Sequence, residues 1–182
     1  DFYLSKGNSN AFNFINRWPD WEKKILNISG EKFSGKSHLA NIFKLKSKAF
    51  LIKGNKIDNS IFKSLKLYES IIIDDFEECN EEEILYSIFN LIDQDSKYLL
   101  INSLKPINEI KFELPDLTSR AKNCLYAEIE DPDDDLLFAI ILKNFSDRQI
   151  KIEKKIINFI ISRIDRSYRK IDEFIYKVDE LS

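Results

Sequence analysis

The chain has 182 residues, a formal net charge of −3 and 43% apolar residues. That length suits one domain, or one domain with a small appendage, and the apolar share excludes global disorder. The mild acidity, with a pI of about 5.4, argues against generic electrostatic binding to nucleic acid, and no strong sequence-specific DNA binding is expected.

Residues 9–18 read as a short helix, with Phe12, Ile15 and Trp18 on one face and Pro19 as its end. Lys24 to Ser29 reads as a strand, and Lys36 to Lys46 as a helix with Leu39, Ile42 and Phe43 at helical spacing. Ala49 to Ile52 is a short strand, and Asn59 to Leu67 looks helical. Ser70-Ile71-Ile72-Ile73-Asp74 is a buried strand, β-branched through its middle. Glu81 to Asp95 is helical, with Ile84, Leu85, Ile88, Leu91 and Ile92 as its apolar stripe. Tyr98 to Ile101 is another buried strand, Pro115 to Lys122 a short helix, and Leu125 to Ile129 a last strand. Glu130-Asp131-Pro132-Asp133-Asp134-Asp135 reads as an acidic hinge. Beyond it only helical patterns occur, at about 133–145, 153–164 and 168–180. Strands alternating with helices predict an α/β fold, a parallel sheet sandwiched by helices. Residues 1–130 are expected to form this domain and residues 131–182 a small C-terminal helical lid.

The two cysteines, Cys79 and Cys124, have no metal-like spacing and read as reduced thiols of a cytoplasmic protein. The longest apolar run, Leu136 to Leu142, is far too short to span a bilayer, and no signal peptide is seen, so no membrane association is expected. The chain starts at Asp1 and contains no methionine, so a trimmed natural N-terminus is expected. Six arginines stand against 22 lysines, which makes each arginine mildly informative, because its planar fork does what an ammonium does not.

Gly30-Glu31-Lys32-Phe33-Ser34-Gly35-Lys36-Ser37 matches the P-loop pattern G-x-x-x-x-G-K-[ST], with an apolar strand before it and an amphipathic helix after it. Such a loop aims backbone N–H groups at phosphates. Lys36 adds charge near the β and γ phosphates, and Ser37 offers a hydroxyl to Mg2+. Gly30, Phe33, Ser34, Gly35, Lys36, Ser37 and His38 are therefore the expected nucleotide-binding residues, for ATP or ADP. Phe33 sits where many such loops carry a small residue, and it is tolerable there if its φ is negative. His38 reads as packing or capping rather than as a catalyst. Phe2, Trp18 and Trp21 are candidates for either core packing or covering an adenine.

Asp74 ends a buried strand at the edge where open α/β sheets bind ligands. It is the expected Mg2+ ligand with Ser37, and Asp75 is a candidate to orient an attacking water. Asn102, at the end of the next strand, would lie between the loop strand and the acidic strand, within reach of a γ-phosphate or the water. Arg120, Arg163, Arg166 and Arg169 are candidates for phosphate contacts or surface ion pairs. Lys151, Lys154, Lys155, Arg163, Arg166 and Lys170 read mostly as solvated faces.

Several runs together resemble the DnaA clade of AAA+ ATPases, and within it the Hda branch. They are Asn16-Arg17-Trp18-Pro19-Asp20-Trp21, the loop with His38-Leu39, Asp74-Asp75, Leu114-Pro115-Asp116-Leu117-Thr118-Ser119-Arg120, Asp147-Arg148-Gln149 and Asp165-Arg166-Ser167-Tyr168-Arg169. The resemblance covers nearly the whole chain. It implies an AAA+ fold with a helical lid, Arg120 as an arginine finger for a neighbour's site, Arg169 as the sensor 2 arginine, Asn102 near sensor 1, and Phe2-Tyr3-Leu4 beside the adenine. DnaA carries a DNA-reading helix-turn-helix domain after the lid, whereas this chain stops there. Residues 53–69 leave room for one short helix where DnaA inserts its initiator motif.

The resemblance implies a regulator that holds ATP or ADP with Mg2+, docks on the DNA-loaded sliding clamp and stimulates hydrolysis by DnaA. Its own ATPase would be weak. The clamp partnership rests on resemblance alone, because no clamp-binding peptide is visible. Self-association is a further expectation, since AAA+ sites are completed between subunits. The alternative is a self-sufficient ATPase such as a helicase loader; a small-molecule kinase suits the paired Asp and the arginine-bearing lid less well.

Overall fold

The computed structural model describes residues 2–180. Five parallel strands form one sheet in the order β2-β3-β4-β1-β5. They are β1 (Ile25–Gly30), β2 (Phe50–Lys53), β3 (Ser70–Asp74), β4 (Tyr98–Ser103) and β5 (Leu125–Ile129). Helices α1 (Ser9–Arg17), α2 (Lys36–Ser47), α3 (Ile61–Leu65), α4 (Glu82–Gln94) and α5 (Pro115–Ala121) flank the sheet, and α6 (Asp134–Asp147), α7 (Lys154–Ile161) and α8 (Tyr168–Glu180) follow it.

Alternation along each strand divides the core. Ile71, Ile73, Leu99 and Ile101 point to one face, where they meet Leu65 of α3, Leu85, Ile88 and Ile92 of α4 and Leu117 of α5. Leu26, Ile28, Ile72 and Leu100 point to the other, against Ala11 and Ile15 of α1 and Leu39, Ala40 and Phe43 of α2. Every residue of β1 and β3 is buried. Parallel strands covered on both faces read as continuous apolar runs, which is the pattern of Ile71-Ile72-Ile73. Each such isoleucine contributes about 1.5–3 kcal/mol by leaving water. Trp18 and Trp21 belong to the second cluster, where both pack on Phe43 and Tyr98, so the core reading of this pair holds.

The last three helices have their own apolar cluster, built on Leu137, Ile141, Phe145, Ile157, Ile171 and Ile175. Half of the acidic stretch before them is helix start rather than hinge. The Asp133 carboxylate accepts from the Leu136 N–H at 2.8 Å, and Asp134 and Asp135 lie in the first turn of α6. Carboxylates there satisfy free N–H groups and suit the helix dipole. The helix expected over 59–67 is shorter, because the Asp58 carboxylate accepts from the Ser60 N–H at 2.8 Å and holds a turn ahead of α3. Three 3-10 turns, Gly54–Lys56, Phe76–Glu78 and Ile107–Glu109, were not expected; they follow the C-terminal ends of β2, β3 and β4. No helix among the described residues is long and apolar enough to cross a membrane. Both cysteines are free thiols, and burial pushes that of Cys124 up to about 12.

Candidate functional site

The sheet topology brings the loop and the acidic strand together. β4 lies between β3 and β1, with Ile73 opposite Ile101 and Ile28 opposite Asn102. Asp74, Asn102 and the start of the loop therefore share the C-terminal edge of the sheet, where α/β folds bind ligands.

Lys36 is 9% exposed, and its ammonium donates to the carbonyl oxygens of Gly30 at 2.7 Å and Glu31 at 2.8 Å. Burial lowers its pKa, against the pull of Glu77, Asp74 and Asp75. α2 starts on Gly35, φ +96°, which has no side chain to cap the first turn. Those N–H groups are free to meet an anion. A Cβ at Gly35 would come within 3.2 Å of the Phe2 ring, so the left-handed backbone and the close aromatic both call for glycine.

Asp74 is buried, and its Oδ1 accepts from Asn102 Nδ2 at 2.8 Å. Asp75 takes the left-handed conformation with φ +54° and pairs with Lys53 at 2.8 Å. Ser37 and His38 are exposed on the first turn of α2. The His38 ring lies 5.5 Å from that of Phe2, and burial followed by neighbouring positive charge, Lys143 included, lowers its pKa.

The loop separates two cavities that share Phe33, Gly35 and His38. The first, about 320 Å³, is mainly apolar, with Phe2, Tyr3, Leu136, Ile140, Tyr168 and Ile171 in its walls. The second, about 470 Å³, is charged and contains Lys32, Lys36, Ser37, Lys53, Asp75, Glu77 and Glu78. An apolar and a charged compartment on either side of a P-loop match the two ends of a nucleotide, base and phosphates. Ser34 Oγ and Asn102 Oδ1 are buried without a hydrogen-bond partner. Buried polar atoms are normally satisfied; of the two only Ser34 lines a cavity, the apolar one, so its hydroxyl fits a ligand or ligand-bound water there.

Three expectations change. Phe33 has φ +68°, not the negative value its tolerance required; it is 60% exposed and its ring borders both cavities. The turn into Ser34 and Gly35 imposes the left-handed geometry whatever the side chain. Arg169 borders neither cavity, because its guanidinium turns along α8 to Glu173 at 2.9 Å. Leu4 is 57% exposed and outside the apolar cavity that Phe2 and Tyr3 enter. Arg120 pairs with Asp93 of α4 and lies over the Tyr86 ring, apart from both cavities. Arg166 pairs with Asp134.

Sequence reading missed Asn8, Leu136, Ile140, Lys143, Asn144, Tyr168, Ile171, Asp172 and Ile175 as cavity walls. For Leu136, Ile140, Ile171 and Ile175 the signal was the apolar pattern of α6 and α8, which does not tell a cavity wall from a packing face. It also missed Lys53 and the role of Glu31. The Glu31 carboxylate accepts from Ser167 Oγ at 2.7 Å and from the Tyr168 N–H at 2.9 Å, joining the loop to α8.

This sheet, its P-loop and its C-terminal helices make the chain a P-loop protein of AAA+ fold. No protein-family model matches it. The chain is similar to the chromosomal replication initiator protein DnaA of Borreliella afzelii (strain PKo), 24% identical over 204 residues that span 98% of the chain and 42% of that protein. The solved replication initiator DnaA bound to AMPPCP and single-stranded DNA superposes with a TM-score of 0.76 at 18% identity, covering 98% of this chain and 63% of that one. Domain III of the Thermotoga maritima replication initiation protein DnaA gives 0.76 at 20% identity, covering 97% of this chain and 84% of that one. The chain thus spans less than half the length of the curated relative, and the likeness to the solved structures is one of fold.

Proposed function

We propose that the chain is a nucleotide-binding AAA+ regulator of chromosomal replication initiation that acts on DnaA. In this reading residues 1–130 are the nucleotide-binding domain and residues 131–182 its lid. ATP or ADP places its base in the apolar cavity and its phosphates on the loop and Lys36. Mg2+, which Ser37 and Asp74 would hold, supplies charge neutralisation at the phosphates. The protein works in the cytoplasm, with the DNA-loaded sliding clamp as scaffold, and self-association is open to it.

The observation that carries the nucleotide part is the loop lying between an apolar and a charged cavity, with the unpartnered buried Ser34 hydroxyl on it. The similarity to DnaA supports the place in replication initiation. Arg120 supports the action in trans: it borders neither cavity, and its half-buried side chain lies over Tyr86 and pairs with the exposed Asp93. Such pairs are worth about 0–1 kcal/mol, so a neighbour's phosphates compete easily for the guanidinium.

Calorimetric titration with ATP and ADP tests the first part, and Lys36→Ala is expected to abolish binding of both. DnaA–ATP turnover with clamp and DNA tests the second. An arginine finger is worth roughly 10³–10⁵ in rate; equal turnover with wild type and Arg120→Ala would sink the trans mechanism.

A self-sufficient ATPase, such as a helicase loader, is the second reading. The convergence of Lys36, Ser37, Asp75 and the Asp74–Asn102 pair on one edge of the sheet favours it. Rapid hydrolysis by the chain alone, abolished by Asp75→Asn, would select this reading over the first.

A further inference from the structure

The charged cavity has two unlike walls. Lys32, Lys36 and His38 come from the loop and the first turn of α2. The opposite wall, from the ends of β2 and β3, brings the carboxylates Asp75, Glu77 and Glu78. Lys53 is the one cation on that wall among the described residues that line the cavity. The cavity thus runs from the loop, where phosphates would start, to this wall.

We propose that Lys53 binds the terminal phosphate of a nucleoside triphosphate, and so lets this site tell a triphosphate from a diphosphate. The inference rests on the nucleotide-binding reading above and deepens it.

The local geometry supports such a role. Lys53 is the last residue of β2 and pairs in register with Asp74, so its backbone is fixed beside the acidic strand end. The next residue is Gly54, where an added Cβ would stand 2.3 Å from the Asp75 carbonyl oxygen. Only a glycine lets the two strand ends approach this closely. The Lys53 ammonium donates to Asp75 Oδ2 at 2.8 Å, with the lysine side chain 58% exposed. That hydrogen bond, with the Asp75 charge, raises the Lys53 pKa, so the group is a full cation at neutral pH.

An exposed pair of this kind is weak and exchangeable. Lys36 rests in a comparable way, on the carbonyl oxygens of Gly30 and Glu31. Both ammonium groups thus have internal acceptors that a phosphate can replace. A terminal phosphate group carries more negative charge than a carboxylate, and charge-assisted bonds to it are strong ones. When Lys53 moves to the phosphate it releases Asp75. A diphosphate is one phosphoryl group shorter and leaves Lys53 on Asp75.

The test is titration of the whole chain with ADP and with the non-hydrolysable triphosphate AMPPCP, both with Mg2+. Lys53→Ala is expected to weaken AMPPCP about tenfold, the worth of one charge-assisted bond, and to change ADP affinity less than about twofold. Lys53→Arg is expected to restore AMPPCP affinity. Asp75→Asn is expected to tighten AMPPCP by freeing Lys53. Lys53→Ala also leaves Asp75 unpaired, and an unpaired carboxylate repels phosphate by itself. The double variant Lys53→Ala/Asp75→Asn separates the two effects: it is expected to bind AMPPCP about tenfold more weakly than Asp75→Asn alone. Equal affinities of the double variant and Asp75→Asn would overturn the proposal, because Lys53 would then only neutralise Asp75. An equal loss of ADP and AMPPCP, or no loss of either, would overturn it as well. Wild type that binds neither nucleotide would refute the nucleotide-binding reading itself, and this proposal with it.

Discussion

The Glu31 carboxylate in the phosphate loop accepts the backbone N–H of Tyr168 at 2.9 Å, across 137 positions of sequence. Its second oxygen takes the Ser167 hydroxyl at 2.7 Å. An anionic acceptor at the first turn of α8 satisfies a free donor and complements the helix dipole. The same residue's carbonyl oxygen holds Lys36. Loop and last helix are therefore linked through one residue.

Removing this anchor is expected to be costly. Hydrogen bonds to a charged group are worth about 1.5–3 kcal/mol, and the site is partly buried, so Glu31→Ala is expected to lower stability by about 1–3 kcal/mol. Glu31→Gln keeps an acceptor and is expected to lose less. Urea unfolding midpoints measure both, and an unchanged midpoint for Glu31→Ala would show that the link carries no weight.

Phe33 pays a backbone penalty that glycine would not. A non-glycine residue at φ +68° is disfavoured by roughly 1–2 kcal/mol. Glycine there removes the penalty but adds about 0.4–1 kcal/mol of unfolded-chain entropy. Phe33→Gly is expected to stabilise the fold by about 0.5–1 kcal/mol and raise the thermal midpoint by a few degrees. Phe33→Ala keeps the penalty and is expected to show no gain. Calorimetric midpoints of the two variants compare them directly.

Gly54→Ala tests the close approach of β2 to the acidic strand end. The new Cβ would meet the Asp75 carbonyl oxygen at 2.3 Å, which is backbone and cannot rotate away. Forced displacement of this kind costs about 1–3 kcal/mol. Denaturant unfolding that moved by less than about 0.5 kcal/mol would contradict the geometry.

Tyr168 makes stability depend on alkaline pH. Burial, with Asp133, Asp131 and Glu31 nearby, pushes its phenol up to about 12, above the value of about 10 in an unfolded chain. The folded state holds the proton more tightly. Its contribution is complete below pH about 10 and is lost as pH rises toward about 12. Tyr126 is raised as well, burial first, and acts in the same direction. Tyr168→Phe is expected to lose less stability than wild type between pH about 9 and about 11, keeping the parts due to Tyr126, Cys124 and Cys79, which burial raises as well. Parallel slopes for the two proteins would rule out the Tyr168 contribution.

Much of the site was legible because its motifs are local. Lys36 and Ser37 belong to a contiguous loop pattern, and Asp74 ends an apolar run whose length and β-branching mark a strand. Asn102 was placed between the two by the usual order of strands, and the sheet has that order. Phe33 was misjudged because a side chain does not announce the φ that a loop imposes on it. Arg169 was carried over by resemblance, and in this structure its guanidinium pairs with Glu173 one turn along the helix. Lys53 carried no motif at all: one lysine among 22, at the end of a short strand.

The sequence by itself determined the alternation of strands and helices, the P-loop and the acidic strand end. These depend on periodicity and short-range turn chemistry, which are properties of neighbouring residues. Tertiary structure alone decided which parts of α6 and α8 line a cavity, that Glu31 anchors α8, and that Lys53 faces Asp75. These are pairings between residues far apart in the chain. They follow from how helices settle on the sheet, where packing selects one arrangement among many that share the same apolar pattern.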